Sequence, residues 1–541
     1  MKRHELLFLA MVYLLGLYMR LLPRLEIDPH LLTFQGDIWY RLCMAQAILD
    51  SHVLPDPDIR YLAYGYVPMW YPPLSPMLFA LWSYVTGLDV ATFSSRVVPF
   101  FEAAAPLSIY FLARYLYSER AAVIATLVLA MTPSFVFWSG ISDPQSFTLL
   151  VIPLLVLFWI WHSRQSASNM RLLAIGMVLA VNFLMHLSYF LELLILLMVT
   201  LALVINREAG KGLFLDFLKV VLISQVITAF WWLPKNLYWW WINALVTSSG
   251  MYGASMHLSE YGTVAAVLGI VSFLYVSHGY LFRHRLRHFI IILWALPLFI
   301  ETQNESIIAI LAKINVSWYN TLEWSTLGKP LEGFRFYCFL AQPLSIATGV
   351  LVAELVNIVD RYRRRLGLLV VILSIFGLAW SLQEYGYAAR FQISGITPQE
   401  YEAAQWYREN SVPSDRIIAD YYRSQMFCAV NGGRALLGGM FPLRNVDYPY
   451  IKAPGQVQND LYTLYKTEGP EEASMLANRY GATHIFYSDN MVRYGNLLSY
   501  YKPATRYGVD IDTDKFKDEE FFEFVYERDS PYGKLVIVRV R

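Results

Sequence analysis

The sequence predicts a polytopic α-helical membrane protein that ends in an external α/β domain, and three observations support this prediction. The 541-residue chain is 56% hydrophobic and only 16% charged, whereas a soluble domain carries about a quarter charged residues. Its apolar runs recur at close to the ~20 residues that a helix needs to cross a bilayer. From about Glu384 onward, charged, Gly, Asn and Pro residues become more frequent and no membrane-length run remains.

The apolar runs predict about 11–13 transmembrane helices. They lie near 5–22, 94–115, 121–139, 145–161, 171–188, 190–206, 217–234, 262–281, 288–300, 334–356 and 366–383, and 301–333 has room for a further partial segment. The first run lacks a small-residue cleavage site, so we interpret it as a retained span rather than a signal peptide. Residues 1–383 then form the transmembrane domain, with a large first external loop at 23–93, and residues 384–541 form the external domain.

Basic residues orient these spans. Lys2 and Arg3 precede the first span, which places the N-terminus in the cytoplasm and the C-terminal domain outside. The later basic clusters fall on the same cytoplasmic side under this assignment: Arg114 and Arg120; Arg164 and Arg171; Arg207, Lys211 and Lys219; Arg283, Arg285 and Arg287; Arg361, Arg363, Arg364 and Arg365. The short apolar piece 74–88 would reverse this agreement if it crossed, so we expect it to be a re-entrant or surface helix.

The C-terminal domain alternates helical and strand patterns. Thr397-Pro398 predicts a capped helix start, with Pro at the first helical position. Short apolar strands are predicted at 416–419, 434–437, 484–487 and 534–540, with a helix at 471–480 between the middle two.

Composition and motifs exclude several functions. Lys plus Arg number 43 against 42 for Asp plus Glu, so no nucleic-acid partner is expected. The three cysteines have unrelated spacings, which predict neither a disulfide framework nor a zinc site. The sequence has no Walker A loop, no Gly-x-Ser-x-Gly elbow and no Cys-x-x-Cys pair, so nucleotide-driven transport and serine hydrolysis are unsupported.

Four predicted external positions carry charges that an inert helical bundle does not need: Asp37, Asp143, Glu260 and Arg335. An ionisable residue at the edge of a span is a functional candidate by default. Converging carboxylates would suit Mg or Mn gripping a diphosphate, and an arginine nearby would add bidentate phosphate contacts.

Each position also has a structural explanation. Asp143 before Pro144 suits a helix N-cap, Glu260 alone suits a loop residue, and Arg335 can extend to lipid headgroups. All four residues are predicted to lie on the external side of the membrane, and this shared side favours a functional role for them. Glu102, Glu192 and Glu354 lie inside apolar runs, where each either pairs with a buried partner or lines a polar pocket.

The order of these motifs resembles a known family. An acid in a long first loop is followed by a Ser-Gly-x-x-Asp turn, a later Ser-Glu, a Gly-x-Arg-Phe entering a late span, and an external α/β domain. This order is similar to that of the catalytic subunit of oligosaccharyltransferase, in its single-subunit archaeal and bacterial form, within the GT-C superfamily. The resemblance implies a GT-C-like glycosyltransferase of the cell membrane that uses a polyprenyl-(pyro)phosphate-linked donor, such as a dolichyl phosphate derivative.

The resemblance also assigns roles to residues. Asp37 and Glu260 would be catalytic, and together with Asp143 they would bind a divalent cation, Mn or Mg. Arg335 would bind the donor phosphate. Asp420, Tyr421 and Tyr422 would contact a protein, glycan or lipid acceptor, in the stretch where the family has Trp-Trp-Asp-Tyr-Gly.

Two departures from the family keep other functions open. The Trp-Trp-Asp triplet is missing in register, and Gln145 stands where the second acidic motif has another carboxylate or a histidine. A transferase that uses a polyprenyl-monophosphate sugar and a non-sequon acceptor needs no strong metal site and fits both departures. A non-catalytic paralogue that binds lipid-linked glycan is the second alternative. A lipid-linked-sugar transporter would predict inverted repeats, and none is visible in the sequence.

Overall fold

The computed structural model describes most of the predicted spans and most of the C-terminal domain. The described residues are 3–26, 36–55, 71–141, 144–246 apart from 167 and 187, 261–302 apart from 284, 336–362, 396–431, 460–493 apart from 462, 513–530 and 533–541, together with 372, 376–377, 379–380 and 383. The predicted span 366–383 therefore lies largely outside this set, and the predicted strand 434–437 lies wholly outside it.

The described elements are mostly helices, numbered here in chain order. They are α1 (Arg3–Glu26), α2 (Gly36–Ser51), α3 (Leu74–Thr86), α4 (Val90–Arg96), α5 (Val98–Glu102), α6 (Leu107–Leu116), α7 (Glu119–Ala130), α8 (Pro133–Trp138), α9 (Pro144–Ser163), α10 (Asn169–Met185), α11 (Tyr189–Ile205), α12 (Gly212–Val246), α13 (Thr263–Arg283), α14 (Leu286–Thr302), α15 (Tyr337–Tyr362), α16 (Pro398–Asn410), α17 (Tyr421–Asn431), α18 (Pro470–Arg479) and α19 (Asp489–Arg493). The strands are β1 (Ile417–Ile418), β2 (His484–Ser488), β3 (Phe522–Ser530) and β4 (Gly533–Val540).

The chain divides into two compact units. The first, called here the bundle unit, comprises Met1–Glu26, Arg96–Leu237 and Gly250–Phe391. The second, called the α/β unit, comprises Ile27–Ser95, Tyr238–Ser249 and Gln392–Arg541. The first loop is therefore grouped with the C-terminal segment, although nearly three hundred residues separate Ser95 from Gln392 in the sequence.

The described helices include six that are long and apolar enough to cross a membrane. They are Arg3–Leu21, Val90–Leu116, Pro144–Ser163, Gly212–Pro234, Thr263–Arg283 and Tyr337–Val359. The helices Asn169–Met185 and Tyr189–Ile205 are apolar but shorter. The chain is thus a multi-pass integral membrane protein, as its hydropathy predicts.

Prolines break two of the predicted spans into shorter helices. The run 121–139 forms α7 and α8, because Pro133 has no N–H to continue α7 and holds Thr132 in an extended conformation (φ −77°, ψ 117°). The run 94–115 is divided among α4, α5 and α6, with Pro99 in the first turn of α5 and Pro106 directly before α6. Each of these two runs is therefore built from more than one helix, although the run 94–115 still lies within the membrane-length candidate Val90–Leu116.

Polar contacts tie helices together at one end of the bundle unit. Glu354 on α15 accepts hydrogen bonds from Tyr275 on α13 and from Arg285 at the start of α14. Arg287 donates to the main-chain oxygen of Leu116 at 2.7 Å. Glu354 therefore has a paired role, one of the two alternatives that the sequence left open.

Glu192 has a partner too. It lies in the first turn of α11, is 1% exposed, and accepts a hydrogen bond from the amide of Asn182 on α10 at 3.0 Å. This contact joins the two helices of one hairpin.

The α/β unit contains a four-stranded sheet in the order β1-β2-β4-β3. Strands β1 and β2 are parallel, with Ile417 opposite His484, and the other neighbours are antiparallel. The predicted strands 416–419, 484–487 and 534–540 correspond to β1, β2 and β4. Strand β3 was not predicted, although Phe522, Phe524 and Tyr526 recur at every second position shortly before Gly533, whose φ is +122°.

Helix α3 belongs to the α/β unit, where it packs against α2. It has 13 residues, so it is about 20 Å long, shorter than the ~30 Å hydrocarbon core of a bilayer. This length favours the predicted surface or re-entrant helix over a span.

Candidate functional site

Asp37 is the second residue of α2, the helix that follows the first apolar run. An acidic residue in the first turn of a helix is stabilised by the helix dipole, so helix stability alone can explain an acid here. What distinguishes this position is the way the rest of the helix is held.

Every residue of α2 from Ile38 to Gln46 is buried. Trp39 packs against Tyr401 of α16, with ring centroids 6.2 Å apart. Tyr40 meets the ring of Tyr71 edge-on at 5.8 Å, and Arg41 both donates to the Tyr71 hydroxyl at 2.6 Å and stacks over its ring at 4.8 Å. The ring and hydroxyl of Tyr71 therefore support the first turns of α2.

A disulfide joins α2 to the C-terminal segment. Cys43 on α2 is bonded to Cys428 on α17, with Cα atoms 4.9 Å apart and a sequence separation of 385 residues. The cysteine spacings predicted no disulfide framework, and this single bond comes from the fold instead, because sequence spacing says nothing about two helices that pack along each other after folding. Cys338 is buried and takes no part in this disulfide.

Asp420 caps α17. Its Oδ1 accepts a hydrogen bond from the main-chain N–H of Arg423 at 2.8 Å, and its Oδ2 accepts one from the Arg423 guanidinium at 2.7 Å. This is the geometry of an N-cap aspartate. Burial raises the pKa of Asp420, and the adjacent Arg423 opposes that rise. The contacts give Asp420 a role in holding α17, while its predicted role in acceptor binding stays a prediction.

Glu400 on α16 completes this buried ion network. Its Oε1 accepts from Arg423 Nε at 2.9 Å and from the Ser488 hydroxyl at 2.5 Å. Its Oε2 accepts from Asn490 at 3.1 Å and from the main-chain N–H of Thr397 at 2.7 Å. Burial opposes the charge of Arg423, but the two carboxylates outweigh it and raise the pKa of Arg423. The network thus locks α16, α17 and the end of β2 together.

Of the other predicted site residues, the structure describes Tyr421 and Tyr422. Tyr421 and Tyr422 form the first turn of α17. Asp143, Glu260 and Arg335 lie outside the described residues, and the helices that follow them begin at Pro144, Thr263 and Tyr337. By sequence these three fall in the ranges of the bundle unit, whereas Asp37 falls in the α/β unit.

Gln145 is the described residue of the second acidic motif, and its contacts bear on metal binding. Its amide donates to Cys338 Sγ at 3.2 Å, and both residues are buried in the bundle unit. A neutral amide directed to a thiol supplies no charge to a cation. This motif therefore offers a cation at most the Asp143 carboxylate.

Among the described residues, one group has the donors and spacing of a metal site: His4, Glu5 and Glu119, whose ligand atoms lie within 4.8 Å of one another. Glu5 is paired with Arg114 at 2.9 Å. Two of these residues lie at the N-terminal end of α1, and none of the three belongs to the predicted cation site.

Arg20 is a buried charge that the sequence reasoning did not select. It lies on α1, is 1% exposed, and donates to the main-chain oxygens of Gly16 at 2.9 Å and Ser139 at 3.0 Å. It also contacts the Ser139 hydroxyl. An arginine inside the first apolar run was the available signal. Arg20 braces the turn that leads towards Asp143 in the sequence.

Comparisons with solved structures agree with this architecture. The archaeal oligosaccharyltransferase AglB from Archaeoglobus fulgidus, solved with an inhibitory peptide and a dolichol-phosphate, is 13% identical with a TM-score of 0.62, over 99% of this chain and 74% of that one. ArnT from Cupriavidus metallidurans, bound to undecaprenyl phosphate, is 12% identical with a TM-score of 0.56, over 100% and 99%. The mycobacterial arabinofuranosyltransferase AftD is 11% identical with a TM-score of 0.53, over 100% and 42%.

No family model matches the sequence, and no curated protein sequence matches it. At these identities the likeness establishes the fold. The chain has the fold of GT-C membrane glycosyltransferases, which confirms the predicted fold class of a polytopic helical membrane protein with an α/β domain.

Proposed function

We propose that this chain is a membrane glycosyltransferase that transfers a sugar or glycan from a polyprenyl-(pyro)phosphate-linked donor to an acceptor. The observation that carries the proposal is the shared fold over nearly the whole chain, with an acid, Asp37, at the start of the first helix after the first span. Two proteins of this fold were solved with polyprenyl phosphates, a dolichol-phosphate in AglB and undecaprenyl phosphate in ArnT.

The proposed reaction takes place on the external face of the membrane. The Cys43–Cys428 disulfide supports this side for the α/β unit, because disulfides persist in oxidising compartments and are rare in the cytosol. The positive-inside arrangement of the basic clusters supports the same side.

In the proposed reaction, an acceptor oxygen or nitrogen attacks the anomeric carbon of the donor sugar. The bond from that carbon to the lipid phosphate oxygen breaks, and the phosphate leaves with the electron pair. Asp37 takes the proton of the acceptor, and Arg335 stabilises the charge that develops on the phosphate. Glu260 would assist at the acceptor side.

A divalent cation, Mn or Mg, would be held by Asp37, Asp143 and Glu260. When bound, it would neutralise charge on the leaving phosphate. The proton transfer is assigned to Asp37, and the stabilisation of the leaving phosphate to Arg335.

A second candidate function is favoured by Gln145. Because this residue directs a neutral amide to Cys338, the second acidic motif has fewer carboxylates than a strong metal site needs. A transferase that uses a polyprenyl-monophosphate sugar and a protein, glycan or lipid acceptor without a sequon would not need that site. A non-catalytic paralogue that binds lipid-linked glycan is the third possibility.

The direct test is sugar transfer by the purified full chain in lipid nanodiscs. Extracted polyprenyl-linked sugars would be the donors, and an Asn-x-Thr peptide and a pool of lipid and protein acceptors would be offered separately, with Mn added or chelated. Metal-dependent transfer to the peptide supports the oligosaccharyltransferase-like reaction. Metal-independent transfer to another acceptor supports the monophosphate-sugar transferase. Donor binding without any transfer contradicts the enzyme proposal.

Asp37→Asn is expected to lower the transfer rate by about 100-fold or more, because the acceptor loses its base. The matched control is Asp50→Asn on the same helix, where the carboxylate is exposed and accepts a hydrogen bond from Gln46 at 2.8 Å. Equal rates in the two variants would exclude Asp37 from the chemistry.

Arg335→Gln is expected to weaken donor binding and transfer by at least about tenfold, because a bidentate phosphate contact is lost. Arg283→Gln, which changes an exposed arginine at the end of α13, serves as its control. The measurement is donor concentration dependence in the same transfer assay.

A further inference from the structure

Within the α/β unit, helix α2 is attached to helices of the C-terminal segment along its first two turns. Trp39 and Cys43 are four residues apart, so they share one face of the helix, which meets Tyr401 on α16 and Cys428 on α17. The next face carries Tyr40 and Met44, which cluster with Leu54 and Tyr71. Both faces are thus fixed within a few residues of Asp37.

Among the contacts that hold α2, the disulfide is covalent. A helix turns by about 100° and rises 1.5 Å per residue, so a small rotation or slide of α2 would change the direction in which residue 37 projects. Aromatic contacts at 5.8 and 6.2 Å restrain such motion without fixing one position. The Cys43–Cys428 bond limits both the rotation and the height of α2 relative to α17, because it keeps the two Cα atoms close together, 4.9 Å apart here.

Helix α17 is itself immobilised by the ion network. Arg423 lies on α17 five residues before Cys428, and it is bound to Asp420 and to Glu400 of α16 at 2.7 and 2.9 Å. The chain of contacts therefore runs from the sheet and α16 through Arg423 to α17, and through the disulfide to α2.

We propose that Cys43 and Cys428 are positioning residues for Asp37, and that the oxidised pair holds α2 in the orientation that sugar transfer requires. This inference rests on the proposed function for its consequence in catalysis, but not for its structural content. Formation of the bond releases two protons and passes two electrons from the thiols to an external disulfide oxidant, which becomes a dithiol.

The first test is hydrogen exchange of the full chain in nanodiscs. In the double variant Cys43→Ala/Cys428→Ala, amides of residues 36–51 are expected to exchange at least about tenfold faster, because α2 opens more often. The matched variant is Leu476→Ala, which removes a buried side chain of α18 and lowers stability without touching α2. In Leu476→Ala, the amides of α2 are expected to exchange at the same rate as in the natural protein.

The second readout is the transfer rate, measured well below the unfolding temperature of all three proteins. The double variant is expected to lose about tenfold or more in kcat, since a small misplacement of a catalytic group is costly. Leu476→Ala is expected to keep the natural rate per folded molecule.

The inference is overturned if α2 exchanges no faster in the double variant than in Leu476→Ala, or if both variants lose the same fraction of kcat. If the natural protein transfers no sugar, the proposed function fails, and the exchange of α2 still decides whether the disulfide positions this helix.

Discussion

The two units differ in where they place their charges. In the bundle unit, Arg285 and Glu354 tie three helices together, but their side chains remain 37% and 31% exposed. In the α/β unit, Arg423 and Glu400 are 0% and 1% exposed, and Asp420 is 0% exposed. Water screens the first pair and does not reach the second. Similar ion pairs should therefore have very different effects on stability.

The largest expected effect comes from Arg423→Met. Two buried carboxylates would lose their cation, which costs about 3–5 kcal/mol of unfolding free energy. The expected observation is a large loss of thermal stability of the full chain in detergent, together with proteolysis within residues 398–541.

Arg285→Met makes the matched change in the bundle unit. Because that pair is partly exposed, its loss should cost no more than about 1 kcal/mol. Comparable losses of stability in the two arginine variants would show that burial does not distinguish the two pairs.

The next effect depends on pH. Burial lowers the pKa of His484, on β2, to about 4, and Arg539 adds to this, while Asp415 and Glu523 oppose it. The imidazole of the unfolded chain titrates near pH 6.5. The contribution of the neutral His484 side chain to the free energy of unfolding is therefore complete above that pH and is lost as pH falls towards 4. The α/β unit should lose roughly 3 kcal/mol across this window.

His484→Gln has no ionisable group at this position and should flatten the pH dependence. The check is the unfolding midpoint of both proteins at several pH values between 4 and 7. Parallel curves would mean that His484 is not the group responsible.

The smallest expected effect is at a helix cap. Thr397 accepts from the N–H of Glu400 at 3.2 Å, and Glu400 reaches back to the N–H of Thr397 at 2.7 Å. Thr397→Ala should cost about 1 kcal/mol, and Thr397→Ser should restore most of it because the oxygen returns. Ser118→Ala removes a single cap contact, to Ala121 at 3.2 Å, and should cost less. Thermal unfolding of the three variants checks the order.

Sequence patterns predicted the elements of both units better than their assembly. Hydropathy located the helices of the bundle unit, and Thr397-Pro398 marked the start of α16 to the residue. Local patterns did not show that Pro133 would divide a span, although proline chemistry gives the reason. The pairing of Cys43 with Cys428 depends on contacts across 385 residues, and no local pattern records such contacts.

For the candidate site, too, the sequence predicted single residues better than their arrangement. Asp37, Asp143, Glu260 and Arg335 were chosen from their residue type and position, and their convergence remains a prediction. Asp420 was selected for an acceptor role, which stays a prediction; its contacts show a capped helix and a buried ion pair, which the sequence reasoning did not anticipate. The sequence held the Asp-x-x-Arg spacing, but the position of Glu400 opposite it depends on the tertiary fold.

The first loop and the C-terminal segment form a single unit joined through α2 and α17, and the positioning of Asp37 depends on this join. The most direct measurement is a thiol count on the intact full chain, denatured without reductant in N-ethylmaleimide and weighed by mass spectrometry. With Cys43 and Cys428 bonded to each other and Cys338 outside the disulfide, we expect one adduct before reduction and three after it, since the chain has 3 cysteines. Three adducts before reduction, or a disulfide-linked peptide that contains Cys338, would contradict the account.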